Sequence, residues 1–166
     1  MMKSLVRTFA AALLAGVLAS FPAIVSAGSL ESEIELLRSD LKTGKVEVVK
    51  EALNVEGAKA DAFWPVYRKY QLDLDKIGDK RITMIKEYAA NFDSMTDAKA
   101  KSLVNQALDL QAQRTSLLKK YYPQFEKVLG GTDAAKLIQV EHLIMALIDV
   151  QLAAEMPLIE KPAAAN

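Results

Sequence analysis

The chain has 166 residues, with 21 basic and 21 acidic side chains, one histidine and no cysteine. That balance provides no bulk attraction for nucleic acid, and the lack of thiols excludes cysteine catalysis, disulfide exchange and thiolate zinc sites. A single histidine also excludes imidazole dyads and multi-histidine metal centres within one chain.

Residues 1–27 read as a signal peptide. Lys3 and Arg7 precede an apolar run from Phe9 to Ala19, Pro22 breaks it, and Val25-Ser26-Ala27 offers the small-residue pattern that signal peptidase cuts. The run is well short of the ~20 apolar residues that span a bilayer. The expected product begins at Gly28 and has no membrane anchor after cleavage. No cysteine follows for a lipid to modify, so the protein is expected to be soluble, and periplasmic if the source is a diderm bacterium. Residues 28–156 are long enough for one helical domain with one core, and residues 157–166 have too little apolar bulk to join it and read as a flexible tail.

Strand alternation is nearly missing from the mature chain, and the pattern predicts an all-α fold. Helix 1 is expected from Ser32, where Ser32 and Glu35 are spaced as a capping box, to about Asn54. Ile34, Leu37, Leu41, Val48 and Leu53 sketch its apolar face, and Gly44 is a weak point. Helix 2 is expected from about Glu56 to about Ala90. Phe63, Tyr67, Tyr70, Leu74, Ile77, Arg81, Met84 and Tyr88 follow alternating steps of four and three, the spacing of a packed seam. After a turn over Asn91 to Thr96, with Ser94 and Asp97 spaced as a second capping box, helix 3 repeats the seam in Leu103, Ala107, Leu110, Arg114, Leu117 and Tyr121. Two helices of roughly 50 Å joined by so short a turn are expected to lie antiparallel. Gly130-Gly131-Thr132 separates helix 3 from helix 4, expected over Asp133 to about Glu155. Leu143 to Ile148 is an unbroken apolar run, so helix 4 needs more than one partner surface.

Trp64-Pro65-Val66-Tyr67-Arg68-Lys69 is echoed by Tyr122-Pro123-Gln124-Phe125-Glu126-Lys127, and a proline inside each long helix predicts a bend there. Cap-like segments precede the later helices. Leu53-Asn54-Val55-Glu56-Gly57-Ala58-Lys59 has Glu56 and Lys59 where an LTXXQ motif has Thr and Gln. Met95-Thr96-Asp97-Ala98-Lys99 keeps the Thr, and Leu129-Gly130-Gly131-Thr132-Asp133 keeps the Leu. With the signal peptide, the missing cysteines and the four helices, the chain resembles the Spy/CpxP-type periplasmic stress proteins over about residues 31–155. The resemblance implies a dimer of bent hairpins that holds unfolded clients without ATP, or that reports envelope stress to a sensor-regulator partner. Some relatives are metal-responsive.

Among candidate sites, Phe63, Trp64, Tyr67, Tyr70, Tyr121, Tyr122 and Phe125 are expected to gather around the two prolines, packing as core with an exposed subset as a platform for clients. The surplus apolar residues Leu143, Met145, Leu147 and Ile148 are expected to meet helix 1, a second copy or clients. His142 shares a stripe with Met145 and Asp149 and adjoins Glu141, a set able to bind metal across a dimer axis; its simpler reading is a partly exposed polar residue beside a core methionine, and no cofactor is expected. Arg81 and Arg114 interrupt the seams and call for carboxylate partners, with Asp73, Asp75, Asp79 and Asp109 nearby as a structural ion pair at the hairpin interface; the alternative is a site for an anionic ligand. No Ser/His/Asp set, phosphate loop or HExxH occurs, so the chain reads as a non-enzyme. The alternatives to a chaperone-like protein are a metal-responsive sensor and a structural scaffold.

Overall fold

The structure, a computed structural model, describes residues 42–159. The signal segment, the Ser32 cap, Ile34, Leu37, Leu41 and the tail from residue 160 lie outside the described residues. Four α-helices and no strand occur among those described: α1 over residues 42–53, α2 Gly57–Asn91, α3 Asp97–Leu129 and α4 Gly131–Glu155, with a 3-10 turn at Phe92–Ser94 between α2 and α3.

The connections have local causes. Asn54 takes a left-handed φ of 46° and its N–H donates to the Lys50 carbonyl, closing the last turn of α1. Asparagine tolerates that conformation better than most residues. The N-cap of α3 is Thr96, whose side chain accepts from the Lys99 N–H at 3.2 Å. The expected Ser94 cap is therefore displaced by two residues, because the 3-10 turn uses Phe92 to Ser94 before the chain extends at Met95. Gly130 alone joins α3 to α4. Its N–H donates to Glu126, its carbonyl accepts from the Ala134 N–H, and its φ of 83° with ψ 160° suits a residue with no Cβ. Helix α4 accordingly starts at Gly131, two residues ahead of the expected Asp133.

The described residues fall into two compact units: residues 42–55 with Lys136–Gln151, and Glu56–Ala135 with residues 152–159. In the second unit α2 and α3 pack along their lengths, and their contacts run in opposite order. Lys99 reaches Glu87, Lys80 reaches Gln113, Lys120 reaches Asp73, and Tyr70 stacks edge-on against Phe125. The two helices are antiparallel. The Tyr88 hydroxyl donates to the Pro157 carbonyl, so the first residue of the expected tail is held.

The two seams bury unequally. Phe63, Tyr67 and Tyr70 of α2 are buried, whereas Leu74, Ile77, Arg81, Met84 and Tyr88 are half-buried. On α3, Leu103, Leu110, Leu117 and Tyr121 are buried, Arg114 is half-buried, and the short side chain of Ala107 is exposed. Two facing helices shield one line of contact, and side chains flanking that line keep a wet edge. Replacing Leu110 by Ala is expected to destabilise the protein by about 2–5 kcal/mol, as for a buried leucine, and replacing half-buried Leu74 by Ala by distinctly less. Urea denaturation of the two variants checks the order.

Candidate interaction surfaces

Six of the seven aromatic residues gather in ring contacts, while the Tyr122 hydroxyl turns to Glu126, and their roles separate by burial. Phe63, Tyr67, Tyr70, Tyr121 and Phe125 are buried, with ring centroids 5.4 to 6.4 Å apart among neighbouring pairs. Edge-to-face and tilted pairs at such distances are favourable beyond the area they bury. These five form the core of the hairpin, and any exposed subset is left to Trp64 and Tyr122. Trp64 and Tyr122 are half-buried; the Trp64 ring lies edge-on to Phe63 at 4.9 Å.

The sequence echo has a spatial counterpart. Trp64 and Tyr122 share the half-buried state, Pro65 and Pro123 are both exposed, Tyr67 and Phe125 are both buried, and Lys69 and Lys127 are both exposed. One residue upstream, Phe63 and Tyr121 are also both buried. Each copy thus presents the same face to the partner helix, and both prolines lie within continuous helices with their rings outward.

Polar contacts fix the register of α2 against α3. Asp73 accepts from Lys76 at 2.9 Å, Lys120 at 3.0 Å and the Tyr121 hydroxyl at 2.9 Å. The Lys76, Lys120 and Tyr121 donors hold its carboxyl well below the usual carboxylate range. The Asp73 carboxylate raises the Lys120 ammonium in turn, and burial, followed by the bond to Asp73, pushes the Tyr121 phenol up. Glu87 is lowered by its bonds to Lys99 and Gln106. Asp73, foreseen as a partner for an arginine, is therefore occupied by two lysines and a tyrosine. Arg81 and Arg114 are half-buried, and Asp109 is exposed. A shallow groove open to solvent runs between Ile77 and the α3 residues Asp109, Gln113 and Ser116.

Helix α4 presents apolar side chains on every side. Leu137, Val140 and Ile144 are buried; Met145, Leu147 and Ile148 are half-buried; Leu143 is 41% exposed and Val150 69%. The helix is long and apolar enough to cross a membrane, and 22% of its most apolar stretch is buried. Leu143, Ala146, Val150 and Ala153 follow one line at steps of three and four, with Leu143 and Val150 exposed on it. His142 is exposed and Met145 and Asp149 half-buried, and among the described residues no group of three or more His, Asp or Glu side chains is placed to hold a metal ion.

Two features escaped the sequence reading. Val150 lies seven residues beyond Leu143, outside the six-residue run that drew attention, although its spacing placed it on the same line. The second is Glu141, which is fully buried with its carboxylate 2.7 Å from the ammonium of Lys45, itself 7% exposed. A carboxylate between Leu137 and Ile144 and a lysine four residues before Val49 were legible as interruptions of two apolar faces.

The Asp73 cluster gives a pH dependence of defined sign. A carboxyl lowered in the folded state contributes stability above its unfolded pKa, near 4, and loses it as pH falls through the folded value. The melting temperature of the wild type is expected to fall more steeply below about pH 4 than that of Asp73→Asn, while at pH 7 the variant melts lower. Parallel melting curves across that window would remove Asp73 from the stability of the hairpin. Compared with protein-family models, curated proteins and solved structures, the chain matches none.

Proposed function

We propose that this is an exported helical binding protein that shields apolar segments of other proteins without ATP, in the manner of a chaperone or an envelope-stress accessory protein. The observation that carries the reading is α4: the most apolar of the long helices leaves large apolar side chains uncovered, with Leu143 and Val150 outward. A contiguous apolar line on a protein surface marks an interaction site more often than a structural accident. Unbranched Met145 and the flat rings of Trp64 and Tyr122, all half-buried, suit partners of varied shape because they repack at low cost. Export rests on residues 1–27, and a hairpin bent at Pro65 and Pro123 is part of the proposal, as is pairing of two copies. The near-neutral charge balance and the absence of a nucleophile–base set in the sequence favour binding over catalysis.

A second reading has its own support, since α4 has the length and composition of a membrane-crossing helix. The ion pair of Glu141 with Lys45 in the middle of that helix favours a protein environment, because a carboxylate at the bilayer centre is costly.

Leu143→Glu and Val150→Glu are expected to reduce suppression of aggregation of a chemically unfolded client several-fold, with circular dichroism unchanged. Full protection by both variants would overturn the reading. Flotation of the wild type with anionic or neutral vesicles, in place of client protection, would establish the membrane reading instead.

A further inference from the structure

The unit containing α1 holds a device that client binding does not require. The buried positions of α1 are Lys45, Val49, Ala52 and Leu53, and those of α4 in the same unit are Leu137, Val140, Glu141 and Ile144. Both sets have helical spacing, so each is a single face, and each face contains one charged residue. The two charges meet at 2.7 Å, with side-chain exposures of 7% and 0%.

A desolvated ion pair does two different things. It selects register strongly, because any slipped arrangement leaves a buried charge without its counter-charge. It adds little net attachment, because both ions regain water when the helices part, whereas apolar side chains of similar volume lose by parting. The link from α1 to α2 is short, residues 54–56, and is flanked by left-handed φ values of 46° at Asn54 and 56° at Gly57.

We infer that α1 is a releasable cover on α4, docked in one register by Lys45 and Glu141, whose lifting exposes the apolar row Leu137, Val140 and Ile144 while α2 and α3 remain folded. The uncovered row extends the apolar surface of α4 available to an apolar peptide. The inference goes beyond the proposed function and is tested apart from it, since opening is a property of the protein alone.

Amide hydrogen exchange on the whole mature protein tests it. Residues 42–53 are expected to exchange at least about tenfold faster than residues 63–70 of α2, through an opening that also exposes residues 137–144. The double variant Lys45→Met/Glu141→Leu, which puts apolar groups of similar size in place of the ions, is expected to slow exchange of residues 42–53 by roughly tenfold and leave 63–70 unchanged. Glu141→Gln, which removes the carboxylate charge, is expected to speed α1 exchange relative to 63–70 and to raise binding of an apolar fluorescent dye. Equal exchange of α1 and residues 63–70 in the wild type overturns the inference, as does an unchanged ratio in either variant. The wild-type comparison decides the matter even if the double variant does not fold.

Discussion

Helix α4 has more apolar surface than its neighbours cover, although Lys136, Gln139 and His142 face water. Its row Leu137, Val140 and Ile144 is buried, yet Leu143 and Val150 point outward and Met145, Leu147 and Ile148 are only half covered. Leaving large apolar side chains in water forgoes roughly 25 cal/mol for each Å² that burial would remove. The long helices α2 and α3 pack their seam against each other, and they too leave Leu72, Val104 and Leu108 exposed.

The hairpin is self-sufficient for physical reasons that can be named. Five buried aromatic rings contribute large apolar bodies at one end, and Asp73, Glu87 and Lys80 tie the two helices by cross-helix bonds along the rest. Exposed ion pairs of this kind add little stability each, but they penalise a slipped register because every carboxylate would lose its donors together. Aromatic bulk thus supplies the hydrophobic contact and the charged rungs choose its alignment. The releasable cover inferred for α1 on α4 has the same division, with apolar residues making the face and the Lys45–Glu141 pair selecting the register.

The long seams were legible in the sequence because a 4-3 spacing sustained over many helical turns rarely arises except where one helix packs along another. Phe63, Tyr67, Tyr70, Leu103, Leu110, Leu117 and Tyr121 were all placed on the packed faces from spacing alone. What spacing does not convey is depth. It puts Phe63 and Met84 on one seam, although one is buried and the other half-buried, because depth depends on how many helices surround a position. For the same reason five of the seven aromatics foreseen as a possible client platform are core. Caps were misread by short distances, since Ser94 and Thr96 have similar chemistry and only the intervening 3-10 turn decides between them. In α1 the apolar face was drawn through Val48, whereas Val49 is the buried residue and Lys45 shares its face. Pairing of Lys45 with Glu141, on helices far apart in the chain, is a tertiary fact that periodicity carries no trace of.

The outward line of α4 is proposed to be a working surface rather than an unused one, and carbene footprinting of the protein, alone and mixed with an unfolded client, reads that line residue by residue. A working surface predicts strong labelling of Leu143 and Val150 in the free protein and loss of that labelling when client is present, with the buried rings of Phe63 and Phe125 unlabelled in both. Labelling of Leu143 and Val150 that is the same with and without client would contradict it.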